Sequence, residues 1–89
     1  MSDEEIAKSI SDISKRMEFL ISDTSVPKNV RSAIAEAKNH LDSSGNSIER
    51  ISSAIYSIDS ISNDINLPPQ ARAAVWSILS MLESIKTSN

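Results

Sequence analysis

The sequence predicts an all-α fold, an up-down-up-down four-helix bundle built from two repeated helical hairpins. Three observations lead to it. Apolar residues recur at steps of three and four in four successive segments, which keeps them on one face of a helix. The segments are joined by about 3–5 residues, and connections that short make neighbouring helices antiparallel. A shift of 41 residues lays the first half of the chain over the second.

The first helix, about residues 3–22, carries Ile6, Ile10, Ile13, Met17 and Leu20, with Ile21 beside the last. Asp3, Glu4 and Glu5 suit the positive N-terminal end of its dipole. The second, about residues 26–43, runs through Val26, Val30, Ala33, Ala37 and Leu41. It stops at Ser43-Ser44-Gly45-Asn46, where Gly45 can adopt the left-handed conformation that closes helices. The third, about residues 47–65, holds Ile48, Ile51, Ile55, Ile58 and Ile65, and Ala54 and Ile61 widen its stripe. Asn46 caps it, with Glu49 at the capping-box spacing. The fourth, about residues 68–86, carries Ala71, Val75, Ile78, Leu82 and Ile85, flanked by Ala74, Leu79 and Met81. Thirteen isoleucines favour strands on propensity alone. No segment alternates at two residues over its length, so the period decides for helix.

The repeat places Asp23 on Asp64, Val26 on Leu67, Pro27 on Pro68, Val30 on Ala71, Arg31 on Arg72, Ala33 on Ala74 and Leu41 on Leu82. Two hairpins, about residues 3–43 and 46–86, then make a single helical-bundle domain over residues 1–89. One hairpin alone cannot bury its apolar face, so two pack together. The shared turn has a physical logic. Pro27 and Pro68 fit the first turn of the following helix, where a missing N–H is no loss. Ser25 and Asn66, two residues earlier, read as N-caps. Asp23 and Asp64 close the preceding helix and can pair with Arg31 and Arg72.

These turns also carry a resemblance. Asp23-Thr24-Ser25-Val26-Pro27-Lys28-Asn29-Val30-Arg31 resembles a signature of a small archaeal group, uncharacterised protein family 0147. So does Ile61-Ser62-Asn63-Asp64-Ile65-Asn66-Leu67-Pro68, followed by Ala71-Arg72 and Trp76. The resemblance implies a small, all-helical, archaeal and cytoplasmic protein. It implies no activity, substrate or catalytic residue.

Composition removes whole classes of chemistry. Eighty-nine residues and 9.7 kDa are one domain's worth. With no cysteine there is no disulfide scaffold, zinc-thiolate site or thiol catalysis. One glycine, Gly45, leaves no glycine-rich phosphate loop. A net charge of −3 argues against a broad phosphate-binding face. No stretch approaches the ~18 apolar residues of a membrane span. The acidic Met1-Ser2-Asp3-Glu4-Glu5 is unlike the basic start of a signal peptide. Cytoplasmic location and no membrane contact are the expectations.

Several residues invite a functional reading. Arg31 and Arg72, if brought together, could grip a phosphate or carboxylate. The plainer reading ties each to its own turn, since exposed ion pairs are common. Asp3, Glu4, Glu5, Asp12, Glu18 and Glu49 lie off the apolar arcs and lack the Glu-x-x-His pattern of bundle metal sites. A solvated face is the reading preferred, and no metal or cofactor is expected. His40 lies at the edge of the second helix's arc, with no nucleophile-elbow sequence anywhere. The chain is therefore read as no enzyme.

The three aromatics are more informative. Phe19 points nearly opposite its helix's stripe, Tyr56 lies about 80° outside its own, and Trp76 sits beyond Leu79. Rings at the edge of an apolar face are ingredients of interfaces. Trp76 with Arg72 and Leu79 is the favoured patch, and a core-rim role with Arg72 stacked on Trp76 is the alternative. A nucleic-acid surface would use Lys8, Lys15, Arg16, Lys28, Arg31 and Lys38, but Asp12 shares the face of the first three. The expected function is protein–protein interaction, with a second copy of the chain among the partners. An RNA- or ribosome-associated accessory role is the alternative.

Overall fold

The computed structural model describes residues 1–88. Four helices make up the fold: α1 (Asp3–Ser22), α2 (Lys28–Asp42), α3 (Ser47–Ser62) and α4 (Pro69–Thr87). No strand occurs among the described residues.

Each helix begins for a local reason. Ser2 Oγ accepts the Glu5 N–H at 3.1 Å, and the Glu5 carboxylate accepts the Ser2 N–H at 3.3 Å. This reciprocal box satisfies two donors that a helix start leaves free. The bond from the Ser2 backbone is the main cause that holds the Glu5 carboxyl below its ordinary value. At α3, Asn46 Oδ1 accepts the N–H groups of Ile48 at 2.8 Å and Glu49 at 3.3 Å, as its position predicts. α2 and α4 begin differently. Pro27 and Pro68 stand at their N-cap positions, with ψ of 146° and 149° and no side-chain cap. The helices therefore start one residue beyond those prolines, at Lys28 and at Pro69. Pro69 explains its own case, because a residue before proline is driven to extended backbone while proline itself suits the first helical position.

One helix end falls within a residue of expectation and one falls short of it. α2 ends at Asp42, where Ser43 sends both its N–H and its hydroxyl to the His40 carbonyl. Gly45 does have a positive φ of 116°, but it lies beyond the cap and steers the chain into α3. α3 ends at Ser62, not near residue 65. Asp64 there diverts the backbone into a turn, and Ile65 is left 88% exposed instead of joining the stripe.

The buried stripes meet in one core that includes Met17, Ile34, Leu41, Ile51, Ile58 and Leu82. Full burial of a side chain of this kind stabilises by about 1.5–3 kcal/mol. On α2 the core position is Ile34, while the expected Ala33 is half-buried. Each helix packs on the next, and α1 closes on α4. The α2–α3 contact is the most extensive and α1–α4 the least.

Polar links strengthen the tight side. Ser14, buried in α1, donates to the Asp42 carboxylate of α2 at 3.0 Å, and Lys38 donates to the same carboxylate at 2.7 Å. Arg50 of α3 donates through Nε to the Leu41 carbonyl at 3.0 Å and again through its guanidinium Nη2. These links join α1 to α2 and α2 to α3.

Candidate functional site

The α1–α4 seam stays open because of what lines it. α4 presents Ala74, Ser77, Ser80 and Ser84, all too short to fill the space beside α1. A cleft of about 420 Å³ is bordered by Met1, Ser9, Asp12, Ile13 and Arg16 of the α1 side and by Ser80, Met81, Ser84 and Ile85. A second, of about 220 Å³, is bordered by Arg16, Phe19, Leu20, Ala74, Ser77, Ile78 and Met81. Arg16 and Met81 border both, so the two form one groove. On α4, Ile78 and Ile85 are buried at its floor and Met81 is half-buried, and an unbranched thioether adapts readily to whatever it meets. On α1 the bordering residues Ser9, Asp12, Arg16 and Phe19 follow steps of three, four and three. That spacing puts them on one helix face.

The three aromatic rings are exposed, and the structure does not bring them together. Phe19 is 81% exposed at the rim of the α1–α4 groove. Tyr56 is 82% exposed and borders a shallow cleft across α2 and α3 with Glu36, His40, Ser52, Ser53 and Ser57. His40 Nε2 lies 4.0 Å from Glu36 Oε1 there. Trp76 is 47% exposed and borders neither cleft. Its expected apolar neighbour, Leu79, is buried in the core. Phe19 is thus the ring with partly exposed apolar neighbours, Leu20 and Met81.

The two turns use the same bonds in a different way from that predicted. Asp23 and Asp64 each send their N–H back to the preceding helix, to Leu20 at 3.2 Å and Ile61 at 3.1 Å. Each accepts a backbone N–H three residues on, from Val26 at 3.1 Å and Leu67 at 3.2 Å. Each carboxylate takes the N–H two residues on, from Ser25 and Asn66, both at 2.9 Å. Ser25 and Asn66 are therefore not N-caps: their backbone groups serve the Asx turns of the two aspartates. The Ser25 hydroxyl also donates to Asp23, at 2.6 Å. The Ser25 bonds hold the Asp23 carboxyl below its ordinary value, with Arg31 a lesser cause.

The arginines do not form the expected ion pairs with Asp23 and Asp64 among the described residues. Arg31 Nε donates to the Val26 carbonyl at 3.0 Å and Arg72 Nη2 to the Leu67 carbonyl at 3.4 Å. Both tie down their own turns, through the backbone. Asp64 instead accepts the Asn29 side chain at 3.3 Å, which links the second turn to the start of α2.

The sequence reading missed the Ser14–Asp42–Lys38 link and the groove itself. The Ser2-x-x-Glu5 box, by contrast, is marked by its spacing alone. Ser14 and Asp42 are 28 residues apart, and nothing local marks them as partners.

The chain is similar to other proteins in sequence and, for two of them, in structure. A protein from Methanocaldococcus jannaschii is 40% identical over 84 residues, covering 93% of this chain and 87% of that one. One from Methanothermobacter thermautotrophicus is 43% identical over 75 residues, covering 83% and 74%. A crystal structure of a protein of unknown function superimposes with a TM-score of 0.83 at 41% identity, covering 90% of this chain and 92% of that one. A crystal structure from Thermoplasma acidophilum, described as from an uncharacterised family, gives a TM-score of 0.83 at 25% identity, covering 91% and 98%. The family model matches residues 1–85, and the chain belongs to the uncharacterised protein family UPF0147.

Proposed function

We propose that this chain is a non-enzymatic, cytoplasmic helical-bundle protein that acts by binding another protein. The observation that carries this reading is Phe19. An aromatic ring 81% exposed beside an open, partly apolar groove contributes little to the fold and much to an interface. Burying such a ring removes ~150 Å² or more of surface from water. The two other exposed rings, Tyr56 beside the α2–α3 cleft and Trp76 on α4 away from both clefts, offer further contacts.

The reading rests on an up-down-up-down bundle of two repeated hairpins in one domain over residues 1–89. Its support is the pair of turns, whose five corresponding bonds lie 41 residues apart. Contact of each helix with the next and of α1 with α4 suits the same topology.

Capture of the tagged chain from extract of its source cells, before and after nuclease treatment, tests the function. A nuclease-resistant protein partner, lost with Phe19→Ser at unchanged folding stability, supports protein binding. A partner that disappears with nuclease overturns it in favour of an RNA- or ribosome-associated accessory role. Trp76→Ser in the same experiment reports whether that ring serves binding or the rim of the core. A core role lowers the denaturation midpoint and leaves capture intact.

A further inference from the structure

We infer that the α1–α4 groove seats a second copy of this chain, with α1 antiparallel to α1 of that copy about a twofold axis level with Ser14. The inference rests on protein binding through the Phe19 face, and it names the partner.

Three features of the groove's α1 face point to a second copy. The first is charge. Asp12 and Arg16 both border the groove, one turn apart on one face of α1. Neither has an ion-pair partner among the described residues. A twofold axis between them sets Asp12 of each copy against Arg16 of the other, so the face complements itself. An isologous interface requires this reciprocity. The second is shape. The same register, in which paired positions add to 28, sets Phe19 of one copy against Ser9 of the other. Phe19 is the projecting ring at one end of the groove. Ser9 is a short side chain at the other end, on the border of the wider cleft with Met1 and Ile13. At 1.5 Å per residue, both lie ~7.5 Å from the axis, on opposite sides. One register therefore satisfies two ion pairs and two ring-into-cleft contacts. At its far ends Glu5 faces Asp23 of the second copy, which requires the helices to cross at an angle and diverge there, as packed helices commonly do.

The third feature is size. The molecule spans 37 × 21 × 16 Å. A whole long face thus measures on the order of 600–800 Å², so α1 and the flanking α4 side of the groove must both be covered to approach the ~800 Å² per partner of a standard interface.

Sedimentation equilibrium of the full chain tests the inference. The parent is expected to sediment at twice its 9.7 kDa mass. Asp12→Arg and Arg16→Asp are each expected to weaken association at least tenfold, since like charges then face each other across the axis. Each residue is on the surface, and far-UV circular dichroism checks that the fold is kept. Two combinations restore attraction. An equimolar mixture of the two variants is expected to form a heterodimer, and the double variant Asp12→Arg/Arg16→Asp a homodimer. A monomeric parent overturns the inference, as does a dimer indifferent to both charge reversals or a mixture that stays monomeric. A monomeric parent that still captures a nuclease-resistant protein through Phe19 leaves the proposed function standing. A monomer that captures none ends both.

Discussion

Replacing Asp42 by alanine removes the acceptor at the centre of the α1–α2 link. The Ser14 hydroxyl lies 3.0 and 3.3 Å from the two carboxylate oxygens, and Ser14 is only 8% exposed. A buried hydroxyl stripped of its acceptor costs about 1–3 kcal/mol. Two effects reduce that figure. Ser14 is mid-helix, where its hydroxyl can turn to the carbonyl four residues back. Asp42 also ends α2, where the helix dipole disfavours a negative charge by ~0.3–1 kcal/mol, and alanine relieves this. The Lys38 pair is too exposed to add much. The buried hydroxyl decides the sign, and a net loss of about 1 kcal/mol is expected, or roughly 4–8 °C in Tm for a chain this size. Urea unfolding of Asp42→Ala, Ser14→Ala and the double variant measures it. Ser14→Ala deletes the orphaned hydroxyl, so the double variant should be about as stable as Ser14→Ala alone. An Asp42→Ala midpoint equal to the parent's, or two single effects that simply add, would refute the link as a stabilising contact.

Three further outcomes concern the Asp42 bonds, the second turn and Gly45. The Lys38 and Ser14 hydrogen bonds hold the Asp42 carboxyl below its ordinary 3.8. Their stabilisation is whole above that pH and is lost as pH falls through the lower folded value, because the unfolded chain takes up the proton first. Lys38 is raised above 10.5 by the hydrogen bond to Asp42, so its share is whole below that pH and is lost as pH rises through the higher folded value. The gap between parent and Asp42→Ala urea midpoints should therefore narrow at both extremes of a pH series. At the second turn, Asp64→Ala should lower stability by roughly 1 kcal/mol, while Asn66→Ala should leave the melting curve unchanged, because only the Asn66 backbone takes part. Gly45→Ala should cost ~1 kcal/mol through its positive φ alone, since no atom lies within 4 Å of the added methyl; a Gly45→Asn variant should lose less on the same denaturant curve.

Much of the fold is legible in the chain because helices are local. The steps of three and four that place Ile6, Ile10, Ile13 and Met17 on one face of α1 are a property of helical geometry, and those four residues are buried. Asn46 caps α3 because its side chain reaches N–H groups two and three residues away. The family's turn motifs are likewise read from contiguous residues. Locality also explains the errors. Ser25 and Asn66 have N-cap side chains at plausible distances from their helices, but Asp23 and Asp64 claim their backbone N–H groups first. Ile65 fits the periodic stripe, yet the Asp64 turn ends α3 before reaching it.

Four amphipathic helices, the Asn46 cap of α3, the family, and the displacement of Phe19, Tyr56 and Trp76 from the apolar stripes are all written in contiguous residues. Which helices pack tightly and which seam stays open is settled by packing between helices. That depends on side-chain lengths summed across two helices distant in sequence: short Ser80 and Ser84 of α4 border the same cleft as Ser9 and Asp12 of α1, Ala74 and Ser77 border the next with Arg16 and Phe19, and no periodicity in either helix contains the gap between them. The partner of Ser14 has the same origin. A hydroxyl buried in α1 is satisfied by a carboxylate 28 residues away because α2 passes beside it, and only the packed chain brings the two together.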